Sequence, residues 1–293
     1  MKVQIPDQLK DDLPQTFFGK ILAATPVVMA VVATMLAGLA SSEMTRAQYA
    51  RALAAQQQSK AGDQWSFFQA KRLRSSLQRN SIDVLQATTD FQPLDAATFK
   101  DVSGSEQEAV NCLVKGEVPA VPPGAALDSK IKAAIEAVET LQPESAVSSL
   151  LANVTDEILA DALLAARDRV QAFDAATRPI NQAVDAIDKK FGRKNTSFVV
   201  ARLAYTAQRY ETEARLNQAI ANLYELQVRK SNILATRHHA RSQRFFFGML
   251  AAQAGVIIST FAMAAQKRNL LWALAAGAGL LAVAFAVYVY LCV

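Results

Sequence analysis

Two apolar runs close the sequence, residues 245–265 and 270–293, separated only by Gln266, Lys267, Arg268 and Asn269, and neither contains a charged side chain. At 1.5 Å rise per residue, each is long enough to span a hydrocarbon core of ~30 Å. Backbone groups in lipid must be satisfied within the segment, so each run can cross only as a helix, and the short polar connection makes the two a hairpin. A third charge-free run, residues 21–40, gives the expected first membrane helix. A cleaved leader is the competing reading, but this run exceeds the ~7–15-residue apolar core of such leaders and follows a polar tail, residues 1–20. An uncleaved anchor is therefore expected, with a bend at Pro26, where a backbone donor is missing.

These runs explain much of the composition. The 52% hydrophobic content is inflated by them and by alanine, so the core available elsewhere is modest. A net charge of +5, with bases and acids interspersed, leaves no basic footprint for a nucleic-acid partner. Cys112 and Cys292 lie too far apart in sequence and setting to read as a pair, and no metal-ligand spacing is present. His238 and His239 are adjacent on a helix, so they point about 100° apart and cannot share a metal. The phosphate-loop, zinc-protease, nucleophile-elbow and paired-cysteine patterns are missing from the sequence, and we expect neither an enzyme nor a cofactor.

All three runs carry small residues at helical spacing: Ala23, Pro26, Ala30 and Ala37 in the first; Gly248, Ala252, Gly255 and Ser259 in the second; Ala275, Gly279, Ala282 and Ala286 in the third. Small faces let helix backbones approach, the main attraction available where lipid is as apolar as leucine. Gly248, Ala252, Gly255, Ser259, Ala275 and Gly279 are the expected packing positions. Arg237, His238, His239, Arg241 and Arg244 precede the second run and form an expected basic collar against lipid headgroups.

Between the runs the chain reads as all-helical: an ascending stalk helix over residues 41–90, a helical head over 91–194 and a return stalk helix over 195–244. Prolines and glycines from Pro93 to Gly124 punctuate the apex around one short helix near Glu106 to Val114. Asp128 can cap a helix that Pro143 ends, and Thr155 or Asp156 starts a longer one. Its apolar positions, Leu159, Leu163, Ala166, Val170, Phe173, Ile180, Val184, Ile187 and Phe191, repeat in a 4-3 pattern, with Thr177 in the gap and a kink expected at Pro179. The return helix has no proline or glycine from Asn195 until Gly248, so it should run unbroken into the membrane, with Leu216, Ala219, Leu223, Leu226 and Ile233 as its seam.

If the two stalk helices are antiparallel, residues at equal height have numbers summing to about 285. Trp65 then meets Ile220. Trp65 and Phe68 are expected on Leu216, Ile220, Leu223 or Tyr224, with Arg72 and Arg74 facing Glu211 and Glu213, as a clamp that fixes the register of an antiparallel coiled-coil stalk.

The stretch Gly62-Asp-Gln-Trp-Ser-Phe-Phe-Gln-Ala-Lys71 after the first run, together with Arg237-His-His-Ala-Arg-Ser-Gln-Arg244 leading into the hairpin, resembles the bacterial membrane-protein family called domain of unknown function 4337. The resemblance covers about residues 20–80 and 200–293, and residues 90–195 look longer than that family usually carries. It implies membrane attachment and the three-helix pattern, and brings no activity with it.

Three classes of function are open to such a chain: a membrane-anchored helical scaffold or oligomeric assembly subunit, a channel or transport accessory, and an enzyme. The scaffold is preferred, because Gln253, Ser259 and Thr260 are a thin polar lining for a pore. The partners expected are the lipid bilayer and further copies of the chain, with an unidentified protein as the alternative. A homo-oligomer is expected, because the 159–191 seam and the small-residue membrane faces together offer more apolar surface than three membrane helices and one hairpin stalk can bury. Lys267 and Arg268 in the short turn favour a cytoplasmic N-terminus and a periplasmic soluble part in a bacterial inner membrane.

Overall fold

The computed structural model describes residues 17–90, 92–95, 99, 105–123, 126–191, 195–264 and 268–292. Most of the polar tail, Gly104, Gly124, Gly192 and the turn residues Gln266 and Lys267 lie outside the described residues. Among those described, the regular elements are α-helices without strands: α1 Phe17–Thr88, α2 Ser105–Lys115, α3 Ser129–Glu139, α4 Glu144–Ala152, α5 Asp156–Phe191, α6 Thr196–Ala264 and α7 Arg268–Cys292. The chain divides into two compact units, one of Met1–Ala52 with Ser231–Val293, the other Leu53–Lys230.

Local chemistry accounts for the helix ends. The Asp128 carboxylate accepts from the Lys130 N–H at 2.7 Å, the Thr155 hydroxyl oxygen from Ile158 N–H at 3.2 Å, and the Asn195 amide oxygen from Phe198 N–H at 3.1 Å. Each satisfies a donor that the first turn of its helix leaves free. α2 ends with Gly116 at φ 65°, where Glu117 N–H reaches back to Cys112 O at 3.1 Å. α3 ends in the same wrap, Gln142 N–H to Ala137 O at 2.9 Å, but the left-handed position is Leu141 at φ 54°. α5 continues through Pro179 and does not break there.

In the unit Leu53–Lys230, α5 and α6 lie antiparallel. Arg202 pairs with Asp188 at 2.7 Å, the Tyr205 hydroxyl donates to Asn181 Oδ1 at 3.0 Å, and Arg167 donates to the Tyr224 hydroxyl oxygen. α2 seats on them through Ala109, Val110 and Leu113 against Ile180, Val184, Ile187, Phe198 and Tyr205. The 4-3 seam of α5 is therefore used within the chain: Leu159, Leu163, Phe173, Thr177, Ile180, Val184 and Ile187 are buried, Ala166 and Val170 half-buried, and the Phe191 side chain lies outside the described set. This corrects the expectation that a second copy must cover it. The neighbouring elements α2 and α6 supply the apolar surface instead.

α1 meets α6 in this unit through small side chains. Ala54, Ala61, Phe68 and Ser75 recur every seventh residue on α1; Ala207, Ala214, Ala221 and Val228 do so on α6. All are buried except Phe68, which is half-buried. The Ser75 hydroxyl donates to Ala207 O at 2.9 Å, a side chain of one carbon reaching the main chain of the other helix.

The unit of residues 1–52 and 231–293 packs parts of α1 and α6 with α7. Among the described residues, three helices, α1, α6 and α7, are long and apolar enough to cross a membrane. Their contact faces are small. The Met29 thioether occupies a notch where a Cβ on Gly255 would come within 2.4 Å of its Cε, and one on Gly279 within 2.8 Å of its Sδ. Gly248 lies against Leu36 and Phe285. The face that α1 presents is Met29, Ala33, Leu36 and Ala40, whereas Ala30 of the expected small-residue face is exposed and Ala23, Pro26 and Ala37 are half-buried. On α6 and α7, Gly248, Ala252, Gly255, Ser259, Ala275 and Ala282 are buried, with Gly279 and Ala286 half-buried. The large side chains point outward, among them Val27, Val31, Met35, Leu39, Phe247, Ile257, Phe261, Leu274, Leu280 and Val287.

The seventh-residue stripe yields a direct test. Ala54 is buried and Ala55, next to it, is exposed. In thermal melts of the detergent-solubilised protein, Ala54→Leu should cost about 1–3 kcal/mol through overpacking, while Ala55→Leu should leave stability nearly unchanged.

Candidate functional site

Two groups of polar side chains stand out, one in each unit. In the unit Leu53–Lys230 the Trp65 and Phe68 rings meet edge to face, with centroids 5.5 Å apart. Trp65 is half-buried and shares a groove with Ile135 and Val138 of α3 and with Gln218, Asn222 and Leu226 of α6. The expected neighbours lie on other faces of α6. Leu223 lines a cavity with Ile131, Ile158 and Ala162, Tyr224 is held by Arg167 of α5, and Leu216 and Ile220 are buried. The physical reason is that α1 turns its small-residue stripe to α6, which carries Trp65, three residues before Phe68, toward the α3 side.

The ion pairs also differ from expectation. Glu213 is engaged by Lys71 and, at 3.4 Å, by Arg209, and Glu211 pairs with Arg215 at 3.6 Å. Arg72 instead lies 5.8 Å over the Phe68 ring. Arg74 lies 5.9 Å over Tyr210, a ring that also receives Lys71 at 5.1 Å and Arg209 at 4.9 Å. A ring approached by three cations, two of which also pair with the Glu213 carboxylate, is a packing layer of cation–π contacts and ion pairs.

Beside this layer, burial pushes the Tyr205 phenol up from its ordinary 10 to about 12, against the pull of Arg209. The Cys112 thiol is likewise raised, first by burial and then by Glu108 and Glu117, so it is a poor nucleophile near neutrality. A phenol whose folded value is raised stabilises the fold fully below its unfolded value. That contribution is lost as pH climbs through the folded one. Between pH 10 and 12, therefore, the native chain should lose stability faster than the Tyr205→Phe variant, as followed by circular dichroism.

The second group belongs to the other unit. Glu43, only 8% exposed, receives His238 Nδ1 at 2.6 Å and Arg46 at 3.1 Å. One turn away the Ser242 hydroxyl donates to Ala40 O at 2.8 Å. Arg244 stacks over Tyr288 of α7 with 5.0 Å to the ring centroid, and Arg241 is half-buried with its Nε enclosed. The five residues expected to form one collar therefore face in different directions. His238 and Arg244 turn inward to α1 and α7, and His239 opens onto a groove against α1.

That groove has a volume of about 620 Å³ and is lined by Ala37, Ala40, Ser41 and Met44 of α1 and by His239, Ser242, Gln243, Phe246, Phe247 and Met249 of α6. His239 Nε2 is 3.2 Å from Gln243 Nε2. An amide nitrogen can only donate, so Nε2 of His239 accepts and its proton resides on Nδ1. Nδ1 is buried without a partner. Glu43, Ser242 and this donor escaped the sequence reading, although a lone acidic residue just past an apolar run was the available signal for the first of them.

No curated protein and no solved structure matches the chain. Residues 18–111 match the family described as Domain of unknown function (DUF4337), so the likeness seen in the Gly62–Lys71 stretch is shown over this first part of the chain.

Proposed function

We propose that the chain is a non-enzymatic, membrane-anchored helical scaffold, an assembly subunit crossing a bacterial inner membrane three times. The carrying observation is the bias of size in the unit of α1, α6 and α7: its interior is mostly glycine and alanine, joined by Met29, Leu36, Phe245 and Val289, while most of its valine, leucine, isoleucine and phenylalanine side chains are exposed. Water would penalise that surface, whereas lipid accepts it and leaves close backbone packing as the attraction. Aromatic residues at both ends of α7 agree. Trp272 and Tyr288 are separated by about 24 Å along the helix, close to the thickness of a hydrocarbon core, and such rings favour the two interfaces.

A pore is less well supported. The hydroxyls of Ser259 and Thr260 both return to Val256 O, at 2.9 and 2.8 Å, which leaves little polar lining at that depth. The assembly reading now rests on α1. Phe67, Leu73, Leu77 and Val84 are exposed on its outer side, and Arg74, the cation among them, is drawn to Tyr210 of its own chain. Copies anchored by the same helix in one bilayer present equal heights to one another, so like residues meet at high effective concentration.

In mild detergent the mass should be a multiple of 31.7 kDa. Leu73→Glu with Leu77→Glu should return it to one chain; a native protein that is already monomeric overturns the assembly reading. The positive-inside preference of the 266–269 turn favours a periplasmic Leu53–Lys230 part. Alkaline phosphatase fused at the exposed Gln142 should then be active, and a silent fusion with a fluorescent cytoplasmic counterpart reverses the orientation.

A further inference from the structure

Arg169 of α5 is a half-buried cation without a counter-ion. It makes no hydrogen bond or ion pair among the described residues, and its Nε is enclosed without an acceptor. A guanidinium nitrogen donates in the one charge state the group adopts, so the missing partner is an oxygen, best an anionic one. The side chain lines a cavity of about 330 Å³ between α3, α5 and α6, walled by Ile131, Ile135, Ile158 and Leu223. That volume lies at the lower end of the range for small-molecule sites and is too small for a phospholipid.

The cavity's charges stand apart. Asp161, eight residues before Arg169 on α5, lines the same space and likewise has no partner among the described residues. Eight residues of helix separate the two by about 12 Å along the axis. Ala162, Ala165 and Ala166 between them offer only methyl groups. Asp128, the other acid on the lining, is taken by the Lys130 N–H at 2.7 Å. Asn222 completes the polar set. Its Nδ2 donates to Glu139 Oε1 at 2.9 Å, and since an ionised carboxylate only accepts, Oδ1 is left to accept from an occupant.

The complementary occupant has an anion at one end, a cation at the other, an apolar body and an N–H donor between them. An extended peptide advances about 3.3–3.6 Å per residue, so three or four residues with free termini cover the span. A fatty acid would leave Asp161 unanswered, and a dianion would oppose it. We propose that this cavity binds a short apolar peptide, its C-terminal carboxylate on Arg169 and its N-terminal ammonium on Asp161. The site does not depend on the membrane or assembly readings, since each of its residues lies within Leu53–Lys230.

Isothermal titration of the full chain in non-ionic detergent with alanyl-leucyl-alanine should give one peptide bound per chain. N-acetylation or C-amidation of that peptide should each weaken binding at least about tenfold, the scale of one hydrogen bond to a charged group. Partition into micelles would run the other way, because the capped peptides are the less charged. Arg169→Gln should lose the discrimination against the amide and keep that against the acetylated form, and Asp161→Asn should do the reverse. Ala165→Phe fills the space and should abolish binding. Helicity should match the parent in all three variants, and the capped peptides test the parent whether or not a variant folds. Capped and free peptides held equally, or a charge variant that discriminates as the parent does, overturns the site. Sensitivity to amidation alone overturns the two-ended reading and marks a site for small organic acids. A parent that takes up no peptide at millimolar concentration overturns the proposal outright.

Discussion

The close approach of α1 and α6 is the constraint on which most other features depend. In the Leu53–Lys230 unit the Ser75 hydroxyl reaches Ala207 O, and in the unit of residues 1–52 and 231–293 the Ser242 hydroxyl reaches Ala40 O. Serine offers one carbon between backbone and oxygen, so these bonds form only when the helix axes sit toward the short end of the usual ~8–10 Å range. Alanine every seventh residue makes that approach possible, and it also limits what the contact contributes, because each methyl removes little apolar area from water. Specificity must then come from polar pairs. Lys71 with Glu213 in one unit and Glu43 with His238 in the other play that part, and each pair lies within about one turn of the register expected for antiparallel helices rising equally.

The same arithmetic runs in the apolar unit. In the lipid setting proposed for that unit, leucine packing against leucine gains nothing that the surroundings would not supply, so the favoured contact is the one lipid cannot make, a side chain seated against bare backbone. Met29 does this between Gly255 and Gly279. A flexible, unbranched thioether can fill an irregular notch where a branched residue would collide. In the Leu53–Lys230 unit the core is built of large residues instead: Phe173, Phe198, Tyr205, Leu113 and Ile187 are fully buried.

How much of this could be read in the sequence depends on the period involved. Long apolar runs, proline and glycine punctuation, and the caps at Asp128, Thr155 and Asn195 are local signals, and the helices begin where they indicate. The 4-3 pattern of α5 was legible as a seam, but a seam does not name its partner. α2 and α6 cover it, where a second chain had been expected. Alanine's small size hid the stripe of Ala54, Ala61, Ala214 and Ala221, since a search for large apolar residues on α1 finds Trp65 and Phe67 first. Phe67 is exposed and Trp65 turns toward α3. A one-residue rotation likewise separates Ala30 from the face of Met29 and Ala33 that α1 presents. Leu141 was not legible at all. Its left-handed backbone costs about 1–2 kcal/mol in a residue that is 89% exposed, and a glycine, as at Gly116, would have announced the turn.

Glu43 shows why a site can be plain in three dimensions and faint in one. Alone in sequence it is an ordinary acid after an apolar run. In the fold it is enclosed, and its two oxygens are taken by His238 from α6 and Arg46 from its own helix. Taking such a carboxylate out of water is expensive, and the return from a buried pair is seldom large enough to make it a net source of stability. Its value lies in what happens when the helices slip. A shift of one residue along α6 would leave Glu43 enclosed without His238, and a buried charge that loses its partner costs about 3–5 kcal/mol. The alanine stripe, with nearly equal methyls at each repeat, has no comparable way to punish a slip. The polar cluster therefore fixes the register of α1 on α6 at the point where the apolar run begins. That register holds His239 beside the Ala37–Met44 wall of the groove.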